Sequence, residues 1–174
     1  MARYTRTEEL PDAGFTPDAS FPAIYAEKGI LHLVFRMEEP FALRHPDGQV
    51  AVRIHGGDRA NVVPSRCALD VTIGNVSALS QTFAGVPAHG STPEQGVNAI
   101  ALAMEAVAKW FASQELSHPF VDFFNRKIGR ETDGGSLGIA CSDEPSGALT
   151  FNAGVIEMND DRTELVADIR YPVT

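Results

Sequence analysis

Apolar and polar residues alternate along several stretches of the chain, a pattern typical of strands with one buried face. The stretches that show it most clearly are residues 30–37, 50–55, 67–73, 149–158 and 164–171. We expect the second and third to pair, and the last two to form an antiparallel hairpin around a turn at 159–161. After the stretch 67–73, we predict a loop over residues 74–81 and a short strand over residues 82–86 that leads to His89.

A helical rhythm replaces this alternation after His89. Ser91 and Glu94 have the spacing of a capping box, and Pro93 fits a first helical turn. Apolar residues then recur at three- and four-residue steps: Val97, Ile100, Ala101, Met104, Val107, Ala108 and Phe111. The pattern predicts a helix of about 18–20 residues, with His89 just outside its N-terminus.

A shorter helix is predicted to begin at His118 and Pro119, and its bulky apolar stripe indicates core packing. The resulting order is four strands, a long helix, a short helix and a hairpin. We therefore predict an α+β fold in which a mostly antiparallel sheet carries its helices on one face.

His89 has two interpretations from the residues alone. The positive end of a helix disfavours a further positive charge, so a neutral imidazole there could donate a hydrogen bond to a developing oxyanion. The alternative is a histidine that ends a strand and bonds to the backbone. Spacing does not decide between them.

Composition excludes several classes of protein. The formal charge is −9 and Lys and Arg do not cluster, which argues against nucleic acid as a partner. No apolar run approaches 18 residues and the N-terminus lacks a signal-peptide core, so we expect a cytoplasmic protein without a membrane partner. The Gly-rich loops lack a phosphate-binding framework. Cys67 and Cys141 are too few for a disulfide framework, and we expect both to be buried thiols.

Four segments, residues 14–29, 56–71, 85–99 and 166–173, together resemble the two-zinc metallopeptidase family of PepV-type and carnosinase-like dipeptidases. They occur in the family's order over nearly the whole chain. The resemblance implies that residues 1–29 are the last piece of a zinc-binding catalytic domain. It also implies that residues 30–174 form the ferredoxin-like lid, although the short 74–81 segment leaves less room than relatives have.

The resemblance assigns roles residue by residue. Asp18 would be a ligand of one of two Zn²⁺ ions, with Mn²⁺ as an alternative metal, and His89 would stabilise the oxyanion. Asn61 would contact the substrate, and Arg170 would hold the C-terminal carboxylate of a dipeptide. From the residues alone, Asp18 could instead form a turn, Asn61 could cap its own loop, and Arg170 could be a solvated edge residue.

We identify no segment that resembles the family's HxD zinc motif, its Glu-Glu pair carrying the general base and a metal ligand, or its later zinc-ligand histidine. We therefore expect this chain to be the lid-bearing part of a larger dipeptidase, inactive by itself, with the rest of the catalytic domain and a dipeptide as partners. A homodimer in which His89 serves the partner's site is also open. Two alternatives remain: a free-standing peptide or small-molecule binding module, and a dimerisation domain without catalysis.

Overall fold

The computed structural model describes residues 26–39 and 41–173. The strands are β1 (Gly29–Met37), β2 (Leu43–His45), β3 (Gly48–Gly56), β4 (Arg66–Ile73), β5 (Val76–Ala84), β6 (Ser142–Asp143), β7 (Gly147–Ala148), β8 (Thr150–Met158) and β9 (Thr163–Tyr171). The main feature of the fold is a seven-stranded antiparallel sheet in the order β1-β9-β8-β3-β4-β5, with β2 paired to β3. A separate two-stranded hairpin comprises β6 and β7.

Two α-helices, α1 (Ala99–Ser113) and α2 (Pro119–Lys127), cover one face of this sheet. Their apolar residues share a core with alternate residues of the central strands, for example Ile54 on β3, Leu69 on β4 and Leu165 on β9, all fully buried. Alternation of side chains along a strand leaves the other residues on the opposite, open face. The predicted α+β fold with helices on one face is confirmed.

The predicted strands lie where the alternation placed them. Residues 50–55 and 67–73 pair in register through β3 and β4, and β8 and β9 form the expected hairpin. The turn of that hairpin is held by Asn159, whose Oδ1 accepts hydrogen bonds from the N–H groups of Asp161 and Arg162. The short helix also begins as expected, with Pro119 in its first turn.

The expected loop over residues 74–81 is wrong, because β5 begins at Val76 and pairs with β4 along its whole length. Gly74 has a φ of 58°, which allows a tight reversal between the two strands. The strand is polar because it lies at the edge of the sheet, where only Leu79 and Phe83 pack towards the core. Because few of its side chains are buried, this edge strand does not show the hydrophobic alternation on which the prediction relied.

The predicted start of the long helix is also wrong. Pro93–Gln95 forms a single 3₁₀ turn, Val97 pairs with Val86 in an isolated β-bridge, and α1 begins only at Ala99. Asn98 is the N-cap, since its Oδ1 accepts from the N–H groups of Ile100 and Ala101 at 2.9 and 3.3 Å. The helix has 15 residues, and His89 is separated from it by a closed loop.

The two cysteines differ in environment, so the expectation that both are buried is half wrong. Cys67 is fully buried on β4, and burial raises the pKa of its thiol to about 12. Cys141 is exposed in the segment that leads into the small β6–β7 hairpin. Cys141 is therefore the thiol that solution reagents can reach.

His118 caps α2 from a buried position. Its Nδ1 accepts the N–H of Phe120 at 3.2 Å, and its ring lies against those of Phe41 and Phe111. Burial lowers the pKa of His118 from 6.5 to about 4. The neutral imidazole is thus part of the folded structure at neutral pH.

This pKa shift predicts a pH-dependent stability. Between about 6.5 and about 4 the unfolded chain binds a proton that the folded chain does not bind, so the free energy of unfolding falls as the pH drops through this window. The variant His118→Asn keeps a side-chain acceptor at the cap but has no imidazole to titrate. We therefore expect its free energy of unfolding to fall less as the pH drops. Urea unfolding at about pH 7 and about pH 5 measures the difference. Parallel losses in both proteins would contradict the assignment.

Two predictions lie outside the described residues: the catalytic-domain piece over residues 1–29, of which only 26–29 are described, and Asp18. Neither described helix could span a bilayer, since the longer has 15 residues and a bilayer core requires roughly 20 apolar ones.

Candidate functional site

Two of the predicted site residues, Asn61 and His89, lie side by side on neighbouring backbone segments. Val63 N–H donates to the carbonyl of Ala88 at 2.9 Å, and Gly90 N–H donates to the carbonyl of Asn61 at 2.8 Å. Val62 and His89 form the β-bridge between these two bonds. The arrangement brings together residues that are 28 positions apart in the sequence.

The segment that carries Asn61 is held on the sheet by strand β8. The Nδ2 group of Asn152, which is buried, donates to the carbonyls of Ala60 and Val62 at 2.8 and 3.0 Å. Gly154 lies at a bulge of β8, and a Cβ there would come within 2.4 Å of Ala60. A glycine is therefore required for the loop to approach the strand so closely.

The His89 ring is oriented by Ser91 rather than by a helix. Ser91 N–H donates to Nδ1 at 3.2 Å, and the Ser91 hydroxyl lies 2.7 Å from the same atom. A backbone N–H can only donate, so Nδ1 acts as the acceptor and a neutral ring carries its proton on Nε2. Ser91, which was predicted to start the helix, therefore binds one nitrogen of the exposed imidazole. The other nitrogen, Nε2, points away from Ser91 and is left as the donor.

Arg170 lies near the end of β9 on the open face of the sheet, beside Asp168. Its Nε donates to Asp168 Oδ2 at 3.0 Å, and 14% of its side chain is exposed. Its two Nη groups have no hydrogen-bond partner among residues 26–39 and 41–173. Arg170 is thus not the solvated edge residue of the alternative interpretation, because β9 lies inside the sheet.

Asp168 joins the two halves of the site. Its side chain has 0% exposure, and a Cβ on Gly90 would lie 2.6 Å from its Oδ2. The backbone next to His89 therefore rests directly on the carboxylate that holds Arg170. Asn61, His89 and Arg170 are consequently gathered around Gly90, and we refer to this group as the Gly90 cluster.

The close packing at Gly90 makes a substitution there costly. A methyl group would meet Asp168 Oδ2 at 2.6 Å and the backbone of Asn61 at 3.0 Å, and neither is free to move away. We expect Gly90→Ala to lower the free energy of unfolding by roughly 1–3 kcal/mol. Gly135→Ala is the matched control, because its Cβ would come no closer than 3.3 Å to Asp133. Equal stability of the two variants in urea would contradict the packing described.

Asp168, Asn152 and His32 face the same site, although no pattern in the sequence had marked them. His32 on β1 is aligned with Asp168 across the strand pair, and its Nε2 lies 3.1 Å from Asp168 Oδ1, without the alignment of a hydrogen bond. One signal was available for Asp168: it precedes Arg170 by two residues in a strand, so the two side chains must share a face. Asn152 and His32 are brought there by strand pairing alone.

The described residues contain no group of three or more His, Cys, Asp or Glu side chains that could hold a metal ion. Asp18, the predicted zinc ligand, lies outside them. The described part of the chain therefore does not fit a metal centre by itself, and its chemistry is that of hydrogen-bond donors and a guanidinium.

Comparison with known proteins matches residues 74–171 to the peptidase dimerisation domain of the M20 family. The matched range includes His89, Gly90, Asp168 and Arg170 but not Asn61.

Individual relatives extend over almost the whole chain. "Putative dipeptidase YtjP" of Bacillus subtilis (strain 168) is 30% identical over 200 residues, which covers 100% of this chain and 42% of the relative. "Putative dipeptidase SH1171" of Staphylococcus haemolyticus (strain JCSC1435) is 27% identical over 196 residues, covering 98% of this chain and 42% of the relative. The chain thus spans less than half the length of these curated relatives. Because the family match covers more than half of the 174 residues, the chain belongs to the M20 peptidase family through its dimerisation domain.

Proposed function

We propose that this chain is the substrate-contacting lid of a metal-dependent dipeptidase that hydrolyses dipeptides with a free C-terminal carboxylate. The observation that carries the proposal is the Gly90 cluster, which combines an imidazole whose Nδ1 accepts from Ser91 with a guanidinium whose Nη groups have no hydrogen-bond partner among residues 26–39 and 41–173. The names of the relatives support the reaction class. The resemblance of the four sequence segments supports the roles.

In this proposal His89 donates from Nε2 to the oxygen of the tetrahedral intermediate. A donor that is fixed before the reaction stabilises a developing negative charge without reorganising in the transition state. Ser91 provides that fixation through its two contacts with Nδ1. Asn61 lies next to this segment because its carbonyl accepts from Gly90 N–H, and its amide would contact the substrate.

Arg170 binds the terminal carboxylate of the dipeptide. A guanidinium presents parallel N–H groups that match a carboxylate. The Nη groups of Arg170 have no partner in the described part of the chain, while its Nε is held by Asp168. Such a clamp distinguishes a free terminus from a chain that continues. It therefore explains how the enzyme would select dipeptides over longer peptides.

We further propose that residues 1–29 belong to a catalytic domain and residues 30–174 to the lid, with Asp18 as one ligand of two Zn²⁺ ions, or of Mn²⁺ in their place. The metal ions would supply the activated water and polarise the scissile carbonyl. The described residues contain no group of three or more His, Cys, Asp or Glu side chains that could hold these ions by itself. The remaining ligands would come from the rest of the catalytic domain.

The proposal is tested by dipeptide hydrolysis. The 174-residue chain and the longest natural polypeptide that contains it are each loaded with zinc or manganese and assayed with free and C-terminally amidated dipeptides. We expect turnover only by the longer protein, and much faster turnover of free dipeptides than of amidated ones. Equal turnover of amidated dipeptides would refute the clamp. Saturable dipeptide binding by the short chain, with no turnover by the longer protein, would favour a free-standing binding module.

A second candidate function is self-association, because the matched family domain is described as a dimerisation domain. We propose that the chain forms a homodimer through β5, which is a nine-residue edge strand with most of its side chains exposed. Light scattering on the purified chain gives the mass directly. A single-chain mass at all concentrations would refute this second proposal without affecting the first.

A further inference from the structure

We propose that Asp168 is a positioning residue that holds Arg170 in the orientation needed to grip a terminal carboxylate. This inference rests on the proposed function, because it concerns the group that Arg170 would bind. It adds a residue that no sequence motif had assigned a role.

Burial of the Asp168 side chain creates the need for a counter-charge. The Asp168 side chain has 0% exposure, and a carboxylate so far from water must be compensated by protein groups. Arg170 Nε supplies the one hydrogen bond to this carboxylate among the described residues, at 3.0 Å. His32 Nε2 lies 3.1 Å from the other oxygen and remains 54% exposed. Arg170 is thus the principal counter-charge of Asp168.

Asp168 contacts Arg170 at Nε, where the guanidinium joins the side chain. Asp168 and Arg170 are two residues apart on β9, so their side chains leave the same face of the sheet, and Asp168 contacts Nε rather than the Nη groups. A contact at Nε fixes the plane of the guanidinium at its root. The two Nη groups, without a partner among residues 26–39 and 41–173, are left for a carboxylate from outside.

Asp168 is itself held in place by its neighbours. Gly90 lies against Oδ2 so closely that no Cβ would fit, and Asn152 is the residue aligned with Asp168 on β8. Asn152 in turn holds the loop that carries Asn61. The carboxylate is therefore enclosed by the backbone and side chains of the Gly90 cluster. A movement of Asp168 would be transmitted to Arg170 first.

Glu164 on the same strand provides a matched comparison. It also lies on the open face, its side chain is 9% exposed, and Arg36 and Arg162 bind it as Arg170 binds Asp168. These arginines are mostly exposed and belong to β1 and the hairpin turn, away from the Gly90 cluster. Loss of charge at Glu164 should therefore affect stability without affecting carboxylate selection.

The experiment measures kcat/KM for a free dipeptide and for its C-terminal amide, using the metal-loaded longest natural polypeptide that contains this chain. The ratio of the two values is taken within one preparation, so a loss of folded protein cancels. We expect Asp168→Asn to lower this ratio about tenfold, because hydrogen bonds to a charged acceptor are roughly twice as strong as neutral ones. The change should appear mainly in KM for the free dipeptide. Glu164→Gln should leave the ratio unchanged.

The outcomes separate this inference from the proposed function. If Arg170→Ala removes the preference for the free dipeptide but Asp168→Asn leaves the ratio unchanged, only the positioning role is wrong. If Arg170→Ala leaves the ratio intact, the carboxylate clamp itself fails. If Asp168→Asn and Glu164→Gln lower the ratio equally, the effect is structural and the inference is overturned. In an Arg170→Ala background, Asp168→Asn should cause no further change.

A second measurement covers the case in which Asp168→Asn does not fold. In the wild-type chain the Nε–H of Arg170, bonded to a buried carboxylate, should exchange with solvent at least about tenfold more slowly than the Nε–H of Arg53, whose only described bond is from Nη2. Arg170→Lys identifies the signal by its disappearance. Equal exchange rates would overturn the inference.

Discussion

Replacing His89 with alanine is expected to lower kcat by roughly 10²–10³-fold while KM changes little, which is the usual cost of losing one oxyanion donor. The physical reason is that the proposed hydrogen bond from Nε2 forms fully only when the carbonyl oxygen becomes negative. Binding of the substrate in its ground state does not depend on it. Steady-state kinetics on the metal-loaded longest natural polypeptide that contains this chain measures both constants.

Two further variants sharpen this test. His89→Gln retains an N–H donor of similar reach and should recover part of the lost kcat. His55→Ala removes another exposed histidine, one that pairs with Glu157 outside the Gly90 cluster, and should leave kcat unchanged. A His89→Ala protein that raised KM and kept its kcat would show that His89 binds substrate rather than the transition state.

Replacing Arg170 with alanine should lower kcat/KM for a free dipeptide by on the order of 10²–10³-fold, because two charge-assisted hydrogen bonds to the carboxylate are lost. Hydrolysis of the amidated dipeptide, already slow, should change little. The selectivity for a free terminus would therefore disappear. The assay with both substrates measures this directly.

Arg170→Lys distinguishes charge from geometry at the same position. Lysine keeps the positive charge but lacks the planar fork and the Nε donor, so we expect it to recover only a small part of the selectivity. Arg53→Ala is the control, since it removes a surface guanidinium that pairs with Asp160. Full recovery of selectivity by lysine would mean that Arg170 acts as a point charge and that its orientation by Asp168 has no consequence.

Both predictions depend on an arrangement that the motifs indicated only in part. The segments 56–71, 85–99 and 166–173 each contain one of the proposed contacts, and the structure brings Asn61, His89 and Arg170 together around Gly90. The expectation that a helix begins next to His89 is nevertheless wrong. Ser91 turns back to the imidazole, and Asn98 caps α1 nine residues after His89.

The helix start was predicted wrongly because a local sequence pattern conflicted with a contact between residues farther apart. A capping box is a local pattern, and Ser91-x-x-Glu94 satisfies it, but the Val86–Val97 bridge closes a loop over these residues and delays the helix to Ala99. That bridge depends on the backbone pairing of residues 11 positions apart. Local propensity was overridden by tertiary contacts, which is the ordinary outcome when the two conflict.

Local chemistry determined the parts of this protein whose stabilising contacts are close in sequence. Alternating apolar residues were sufficient for β1, β3, β4, β8 and β9, because one face of each packs against the core. The apolar stripe of α1 and the Pro119 start of α2 followed the same logic. The edge strand β5 was not predicted over its full length, because a strand with one unpaired edge and few buried side chains has almost no hydrophobic alternation.

The tertiary structure alone decided which polar side chains meet. Strand order places β1, β9 and β8 next to each other, which brings His32 and Asn152 alongside Asp168. His32 and Asp168 are more than 100 residues apart in the sequence. The bulge at Gly154 and the bare backbone of Gly90 then allow two loops to pack against the sheet. A buried carboxylate can be tolerated there because the fold assembles its partners around it, and no single segment of the chain carries that information.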